Sequence, residues 1–277
     1  MQFNVFYFSQ LPLKIDIIKH RQEVIGKSTS SHAKIIAPND VNIYIYPDIP
    51  DYSQEQDEVV LIFPSANAVS ISSLFKGVSI EHKENFGLKK GFSLGTMLKL
   101  TLDEVISDSD KEKLAAEELT DKKYTLDSLP FKKAIFIDST WKQCRGIYKD
   151  PRISSIRSCV IQNRITKFWR LQKGAPKWYL STIEAIHQFL LEVHISAWGI
   201  SQKYYDQCLN DLQLDTNFIS ENKIISEEKS TKIDSLCKPY DGQYDNILYF
   251  FKFLYSVIHS LEHINGKLNI YQTDEYK

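Results

Sequence analysis

Residues Ala134-Ile135-Phe136-Ile137-Asp138-Ser139-Thr140-Trp141 join a short apolar run to an abrupt series of polar side chains. The first four residues are typical of a buried β-strand, because β-branched and aromatic side chains suit a sheet that is covered on both faces. Asp138 ends the run and places a lone carboxylate close to the indole of Trp141. In open α/β sheets, ligands bind beyond the carboxyl ends of the strands. The stretch therefore predicts a central strand and the beginning of a site.

Other segments extend this pattern. Further strands are predicted at Val41–Tyr46, at Val59–Phe63 and, more weakly, at Ser158–Gln162. Helical spacing of apolar residues predicts helices at Thr182–Ala197 and Tyr244–His263. Continuous apolar strands that alternate with helices predict an α/β fold, with a mostly parallel sheet flanked by helices.

The length of 277 residues and the apolar content of 43% allow one complete core, so a single domain over 1–277 is expected. Two polar stretches, 76–128 and 210–238, are predicted to be flexible insertions. No apolar run reaches the roughly 18 to 20 residues that a membrane helix needs, and the amino terminus lacks the features of a signal peptide. The four cysteines form no C-x-x-C pair, which argues against a zinc site or a disulfide framework. A soluble intracellular protein is expected.

Positive charge is concentrated in one part of the chain. The window Phe131–Leu180 holds twelve lysines and arginines against two acidic residues, a net charge of +10, whereas the whole chain carries −1. Cations with interleaved aromatic rings are typical of a groove that binds nucleic acid; here they are Arg164, Arg170, Lys173, Trp169 and Trp178. A solvated basic face is the alternative, but self-repulsion of so much charge favours a polyanionic partner.

Two predicted strands end in polar residues, at Pro64-Ser65 and at Asp138. If these strands are neighbours, Ser65, Asp138 and the Thr140-Trp141 pair line one crevice. The alternative is that Asp138 caps a helix beginning at Thr140, and both interpretations can hold together.

Two other motifs have structural interpretations. Ser181 and Glu184 form a capping box, although a helix N-terminus also offers N–H groups to an anion. Gly26-Lys27-Ser28-Thr29 is similar to the end of a phosphate-binding P-loop, but Arg21 stands where that motif requires glycine. A P-loop is therefore excluded.

Several motifs occur in a specific order: His20 and Glu23, Phe63-Pro64-Ser65, Asp138-Ser139-Thr140-Trp141, and Leu180-Ser181-Thr182-Ile183-Glu184-Ala185. This order resembles the DTW-domain tRNA-uridine aminocarboxypropyltransferases, which are named for an Asp-x-Thr-Trp signature. The resemblance extends from about Leu11 to Leu261, with the two polar stretches as interruptions. Each motif alone is weak, and their order and spacing carry the signal.

The resemblance implies a reaction. Family members transfer the 3-amino-3-carboxypropyl group of S-adenosylmethionine to N3 of a uridine in the tRNA D-loop and release methylthioadenosine. It also implies a SPOUT-like α/β fold with a knotted cofactor site, no metal in the chemistry, and a location in the nucleus, with the cytoplasm as the alternative. The oligomeric state is left open.

The resemblance also implies roles for particular residues. Asp138 is the expected base, with Thr140 and Trp141 beside it in the catalytic set. The expected cofactor-binding residues are Pro64, Ser65, Ser139, Leu180, Ser181, Thr182 and Glu184. In this set the helix-start amides at Ser181-Thr182 meet the methionyl carboxylate, and Glu184 meets the ammonium. The expected RNA-binding residues are Lys142, Arg145, Arg164, Arg170 and Lys173.

Two departures from the family pattern leave alternatives open. Family members usually begin with a zinc-binding type of cysteine cluster, and this chain starts at Met1 without it, so the module is lost or the chain is a shortened product. Arg21 stands where the family commonly has proline. A catalytically silent tRNA-binding protein and a SPOUT-type RNA methyltransferase are the competing functions.

Overall fold

The structure is a computed structural model that describes residues 8–23, 26, 28–75, 124–161, 165–169, 179–206, 224–225 and 236–264. Most of the two predicted insertions, 76–128 and 210–238, lies outside these residues. Where described, the chain forms strands β1 Lys14–His20, β2 Val41–Tyr46, β3 Val59–Ile62, β4 Val69–Ser70, β5 Lys133–Asp138, β6 Ser158–Val160, β7 Ile200–Ser201 and β8 Ile224–Ile225. Its helices are α1 Ser30–Ile36, α2 Ile71–Phe75, α3 Trp141–Tyr148, α4 Pro151–Ser154, α5 Thr182–Trp198 and α6 Tyr249–Ile264, with short 3-10 turns at Gln56–Glu58 and Asp245–Leu248.

Six strands form one parallel sheet in the order β2-β1-β5-β3-β6-β4. The central strand β5 pairs with β1 and β3, and the pairing sets Lys19 opposite Asp138 and Ile62 opposite Phe136. This arrangement confirms the predicted α/β fold with a parallel sheet. The SPOUT-like knot stays a prediction.

Apolar side chains alternate between the two faces of the sheet, as the twofold period of a strand requires. In β5, Ala134 and Phe136 enter the larger core, which α1, α2, α5 and α6 cover, whereas Ile135 enters the smaller core beneath α3 and α4. Because Asp138 has the same parity as Phe136, its side chain points to the α5 side. The alternation therefore fixes which helix the carboxylate meets.

Strand β1 was not predicted as a strand, because Lys14, Asp16 and Lys19 interrupt its apolar pattern. The structure shows how the buried acid is tolerated. Asp16 is 1% exposed and accepts hydrogen bonds from Tyr52 Oη and Asn42 Nδ2, both at 3.1 Å. These partners are distant in sequence, so local periodicity could not reveal them.

One predicted helix boundary changes in the structure. The helix predicted at Tyr244–His263 is divided, because a 3-10 turn precedes α6. Elsewhere in the fold, Phe75 and Tyr124 border the range 76–123. Their rings lie edge to face at 5.2 Å, and Tyr124 Oη donates to the Phe75 carbonyl at 2.8 Å. Among the described helices, none is long and apolar enough to cross a membrane.

Candidate active site

Asp138 is the last residue of β5 and lies at the carboxyl edge of the sheet, where the end of β3 is its neighbour. The two strands are neighbours, so the condition for a shared crevice is met. The Asp138 residue is only 5% exposed, and hydroxyl groups hold both carboxylate oxygens. Ser28 Oγ donates to Oδ2 at 2.5 Å, and Thr182 Oγ1 donates to Oδ1 at 2.7 Å. A carboxylate has about four acceptor positions, so two remain for an incoming N–H group.

Ser28 was missed as a site residue, since its motif was considered only as a P-loop. Because its single hydroxyl proton points to Asp138, Ser30 must donate in the 2.6 Å contact between the two serine oxygens. The Ser30 backbone N–H also donates to Ser28 Oγ, at 3.2 Å. Next to them, Thr29 Oγ1 accepts a hydrogen bond from the Ile183 N–H at 3.1 Å. The segment before α1 therefore holds both Asp138 and the start of α5.

The N-terminus of α5 is less open than the sequence implied. The Ser181 N–H donates to Glu184 Oε2 at 2.9 Å, and the Ile183 N–H is bonded to Thr29. Of the two amides expected to be free, that of Ser181 is thus already used, and so is the amide of Ile183 that follows them. Within the described part of the chain, the Thr182 N–H is the amide of this turn that has no acceptor.

Glu184 was expected to contact the cofactor ammonium, and its geometry gives it a structural role instead. It is 1% exposed, and its carboxylate accepts four hydrogen bonds, from Thr166 Oγ1, the Lys167 N–H, the Ser181 N–H and Ser181 Oγ, at 2.7 to 2.9 Å. These bonds join the segment 165–169 to the start of α5. The capping interpretation from the sequence is the one that fits.

Thr140 has a structural role in capping a helix, and its expected place in the catalytic set stays a prediction. It is exposed and is the N-cap of α3, where its hydroxyl donates to Gln143 Oε1 at 2.8 Å. The helix begins at Trp141, so Thr140 rather than Asp138 is the cap. This leaves the Asp138 carboxylate available for other partners. Among the described residues, the Ser139 hydroxyl makes one long contact, 3.3 Å to the Thr140 carbonyl.

The other predicted residues lie around this edge. Trp141 is 40% exposed, and its ring centroid lies 4.5 Å from that of Tyr179. Lys142 and Arg145 are exposed on α3, the helix that begins at Trp141. Pro64 and Ser65 are half-buried in the turn after β3, and Leu180 is half-buried just before Ser181. In the described residues, no hydrogen bond joins the Ser65 side chain to Asp138.

His20 ends β1, beside the end of β5. Its Nδ1 accepts a hydrogen bond from the Gln22 N–H at 3.2 Å. Arg164, Arg170 and Lys173 lie outside the described residues, so their predicted contacts with RNA stay predictions.

Two cysteines in the elements around the site are buried. Cys144 and Cys159 are buried in α3 and β6, and burial raises the pKa of each thiol to about 12. They are therefore neutral at physiological pH. No group of three or more His, Cys, Asp or Glu side chains is arranged to hold a metal ion within the ranges that the structure describes.

A second polar cluster lies farther along α5. Asp245 accepts hydrogen bonds from His187 Nε2 at 2.9 Å, Tyr204 Oη at 2.8 Å and Tyr240 Oη at 2.9 Å. Burial acts to raise the pKa of Asp245, but the hydrogen bond and charge of His187, helped by the two phenols, hold it below its usual value. The cluster fastens the turn before α6 to α5.

His194 is fully buried in the same part of the fold. Its Nε2 lies 2.6 Å from the Lys238 carbonyl, and its Nδ1 lies 2.9 Å from Tyr244 Oη. A carbonyl can only accept, so Nε2 carries the proton and Nδ1 accepts from the phenol. Burial lowers the pKa of His194 to about 4, against the opposing effect of the Lys238 carbonyl.

Comparison with known proteins places the chain in a family. The family model for the DTW domain matches residues 4–259, so the chain belongs to the DTW domain family. It is similar to tRNA-uridine aminocarboxypropyltransferase 1 of Rattus norvegicus, with 36% identity over 255 residues, which cover 91% of this chain and 67% of the relative. The Homo sapiens protein of the same name is 38% identical over 250 residues, 89% of this chain and 65% of the relative.

The Xenopus laevis protein of that name is 36% identical over 263 residues, 94% of this chain and 72% of the relative. The chain thus spans about two thirds of the length of these curated relatives. No solved structure matches the chain.

Proposed function

We propose that this protein is a tRNA-uridine aminocarboxypropyltransferase, which transfers the 3-amino-3-carboxypropyl group of S-adenosylmethionine to N3 of a uridine in the tRNA D-loop. One observation carries the proposal. The buried Asp138 carboxylate lies at the carboxyl edge of a parallel sheet and is oriented by hydroxyl groups from two separate elements. The names of the similar proteins support the same reaction.

The proposed role of Asp138 follows from the chemistry of uridine. N3 bears a proton and is a weak nucleophile while neutral, so a carboxylate within hydrogen-bond reach assists by accepting that proton. The N3–C bond forms as the C–S bond of the sulfonium breaks. The electron pair of the C–S bond stays on sulfur, and the released product is the neutral thioether methylthioadenosine. The proton passes to a free lone pair of Asp138.

Ser28 and Thr182 position this base. Their hydroxyl protons occupy one lone pair on each carboxylate oxygen, so the remaining lone pairs have a fixed direction. Ser30 supports Ser28 through a further hydrogen bond. A base that is already oriented loses little freedom when substrate arrives, and orientation is a large part of the catalytic effect.

The residues around Asp138 fit the polar end of S-adenosylmethionine. The Thr182 N–H, at the positive end of the seventeen-residue helix α5, suits the methionyl carboxylate. The lone pairs of Thr182 Oγ1 suit the ammonium. Pro64, Ser65, Ser139, Leu180 and Ser181 complete the proposed binding set. When bound, the sulfonium supplies the activated carbon, and the direction in which it is held decides whether a methyl or an aminocarboxypropyl group is transferred.

The proposed partner is tRNA, whose phosphates suit the exposed Lys142 and Arg145 and, by extension, Arg164, Arg170 and Lys173. We also propose that the protein works in the nucleus. Imaging of a tagged full-length chain in its own cells tests that location, and a purely cytoplasmic signal contradicts it.

Substitution of the base tests the proposed function. Asp138→Asn is expected to lower transfer by about a hundredfold to ten-thousandfold, because general-base assistance is worth about that much. Unmodified tRNA is incubated with S-adenosylmethionine, and its D-loop nucleosides are then analysed by mass spectrometry. The matched control is Asp150→Asn, which removes the same charge from the same basic window at the start of α4, where Asn can still cap.

Each product identifies a different function. Aminocarboxypropyl-uridine with methylthioadenosine, lost only in Asp138→Asn, supports the proposal. A methylated nucleoside with adenosylhomocysteine identifies a methyltransferase. No new nucleoside, with tRNA still bound, identifies a silent binding protein. Undiminished transfer by Asp138→Asn removes Asp138 from the role of base.

A further inference from the structure

Two groups of cations in the basic window differ in their partners. In the first group, a carboxylate neutralises each charge: Lys132 Nζ lies 2.9 Å from Glu58, Lys133 Nζ lies 2.6 Å from Glu55, and Arg152 lies 2.7 Å from Asp150. The two lysines are at the amino end of β5, the end opposite Asp138. These paired cations contribute little positive potential for a polyanion.

The second group is on the outer face of α3 and has no such partners. Lys142 and Arg145, with Lys149 just beyond the helix, are exposed, and none makes an ion pair or side-chain hydrogen bond with the described residues. Their spacing of three and four residues places them on one side of the helix. Three unpaired charges are thus aligned in a stripe along α3, whereas the exposed Arg157 and Lys167 belong to other segments of the window.

An aromatic pair stands at the start of this stripe. Trp141 is one of only five large apolar side chains that are strongly exposed among the described residues. Its ring is tilted by 43° against Tyr179, which supports it from one side. Tyr179 is half-buried, and burial raises its pKa while the nearby charge of Arg145 opposes that effect. An exposed ring with adjacent cations fits a nucleic acid strand, since any base can stack and every nucleotide carries a phosphate.

We propose that the outer face of α3 is the track along which the tRNA strand reaches the site. A nucleobase of that strand stacks on Trp141, with Tyr179 as its support, and the phosphates that follow pair with Arg145 and Lys149. This inference rests on the proposed function, which makes tRNA the substrate. Trp141 is three residues from Asp138, and Arg145 lies one helical turn farther on, so the track begins at the base and leads away from it.

Two double variants with the same loss of charge test the phosphate contacts. Binding of unmodified tRNA transcript is measured without S-adenosylmethionine at several salt concentrations. Arg145→Ala with Lys149→Ala is expected to make the plot of log affinity against log salt shallower by about 1.5, since each lost phosphate contact removes about 0.7 to 0.9. The control, Lys132→Ala with Lys133→Ala, is expected to leave the slope unchanged. Equal changes in both variants overturn the track.

A second pair of variants tests the ring. Trp141→Ala is expected to weaken tRNA binding by between about fivefold and about a hundredfold, which is the range for one base–aromatic stack, without a change in the salt slope. Trp141→Phe keeps a ring and should retain part of the affinity. Phe253→Ala removes another exposed ring, 45% exposed on α6, and should have no effect. Thermal unfolding of each variant checks that the fold is intact.

The outcomes separate this inference from the proposed function. If Trp141→Ala weakens calorimetric binding of S-adenosylmethionine but not of tRNA, the ring belongs to the cofactor and the track is wrong. If the slope and stacking effects are found while no variant or wild-type protein transfers the group, the track stands and the proposed function fails. If all α3 variants transfer the group normally and bind tRNA as the wild type does, the proposed function stands and the track fails.

Discussion

Thr182 Oγ1 donates a hydrogen bond of 2.7 Å to Asp138 Oδ1, which joins the first residue of α5 to the last residue of β5. This bond makes the start of the longest described helix a part of the machinery around the carboxylate. The first turn of a helix and the proposed base are thereby coupled in one contact.

Removal of that hydroxyl should affect catalysis more than folding. Thr182→Val keeps the shape of the side chain but leaves Asp138 Oδ1 without its donor, so we expect turnover to fall about tenfold or more as the base loses its orientation. Thr182→Ser keeps a hydroxyl and should restore most activity. Turnover at saturating substrate and the melting temperature are measured together. A loss of activity that only follows a lower melting temperature contradicts a positioning role.

Glu184→Gln distinguishes a structural role from cofactor binding. The amide offers one acceptor oxygen where four hydrogen bonds converge on a buried carboxylate, so we expect a loss of about 2 kcal/mol or more in the free energy of unfolding. Glu58→Gln changes a half-exposed carboxylate and serves as the control. Unaltered stability in Glu184→Gln, with a raised KM for S-adenosylmethionine, would show that Glu184 binds the cofactor and has no structural role.

The stability of the fold should depend on pH through His194. Its pKa is about 4 in the folded state and about 6.5 when unfolded, so below pH 6.5 the unfolded chain binds more protons and folding weakens until pH falls past about 4. From pH 7 to pH 5 this residue should remove about 2 kcal/mol from the free energy of unfolding. Urea denaturation at both pH values should show a smaller difference in His194→Gln. An identical difference in that variant would contradict the assignment.

The Asp245 cluster should respond in a lower pH range. Because the pKa of Asp245 is depressed on folding, its contribution is present above the unfolded pKa, about 3.9 for Asp, and is lost as pH falls through the folded value. Asp245→Asn weakens the acceptor for His187, Tyr204 and Tyr240 and should cost about 2 kcal/mol at pH 7. Asp241→Asn, at an exposed neighbour, is the control. A deficit that does not shrink toward pH 3 in urea denaturation would count against the charged carboxylate.

Sequence patterns revealed much of the framework of this fold. Apolar runs identified β2, β3, β5 and β6, and helical periodicity identified α5, because these elements bury their side chains in continuous patterns. The same reasoning missed β1, whose buried Asp16 is compensated by Tyr52, a partner 36 positions away. Local patterns carry no information about such a partner.

The sequence identified some residues of the candidate site and missed others. Asp138 could be selected because a carboxylate directly follows a buried strand. Ser28 could not, since nothing local distinguishes it from the neighbouring hydroxyl residues, and only the fold brings it to a carboxylate 110 positions away. Thr140 and Glu184 were assigned to chemistry through the resemblance, whereas their hydrogen bonds serve helix ends.

The contact between Phe75 and Tyr124 has a consequence for the stability of the fold. Since these two half-buried residues meet directly, their contact holds the end of α2 near the chain that leads to β5, whatever length of chain separates them. Closing a longer loop costs only about 0.6 kcal/mol for each doubling of its length. Added chain between Phe75 and Tyr124 is thus expected to cost little stability, because their contact already holds the two ends together.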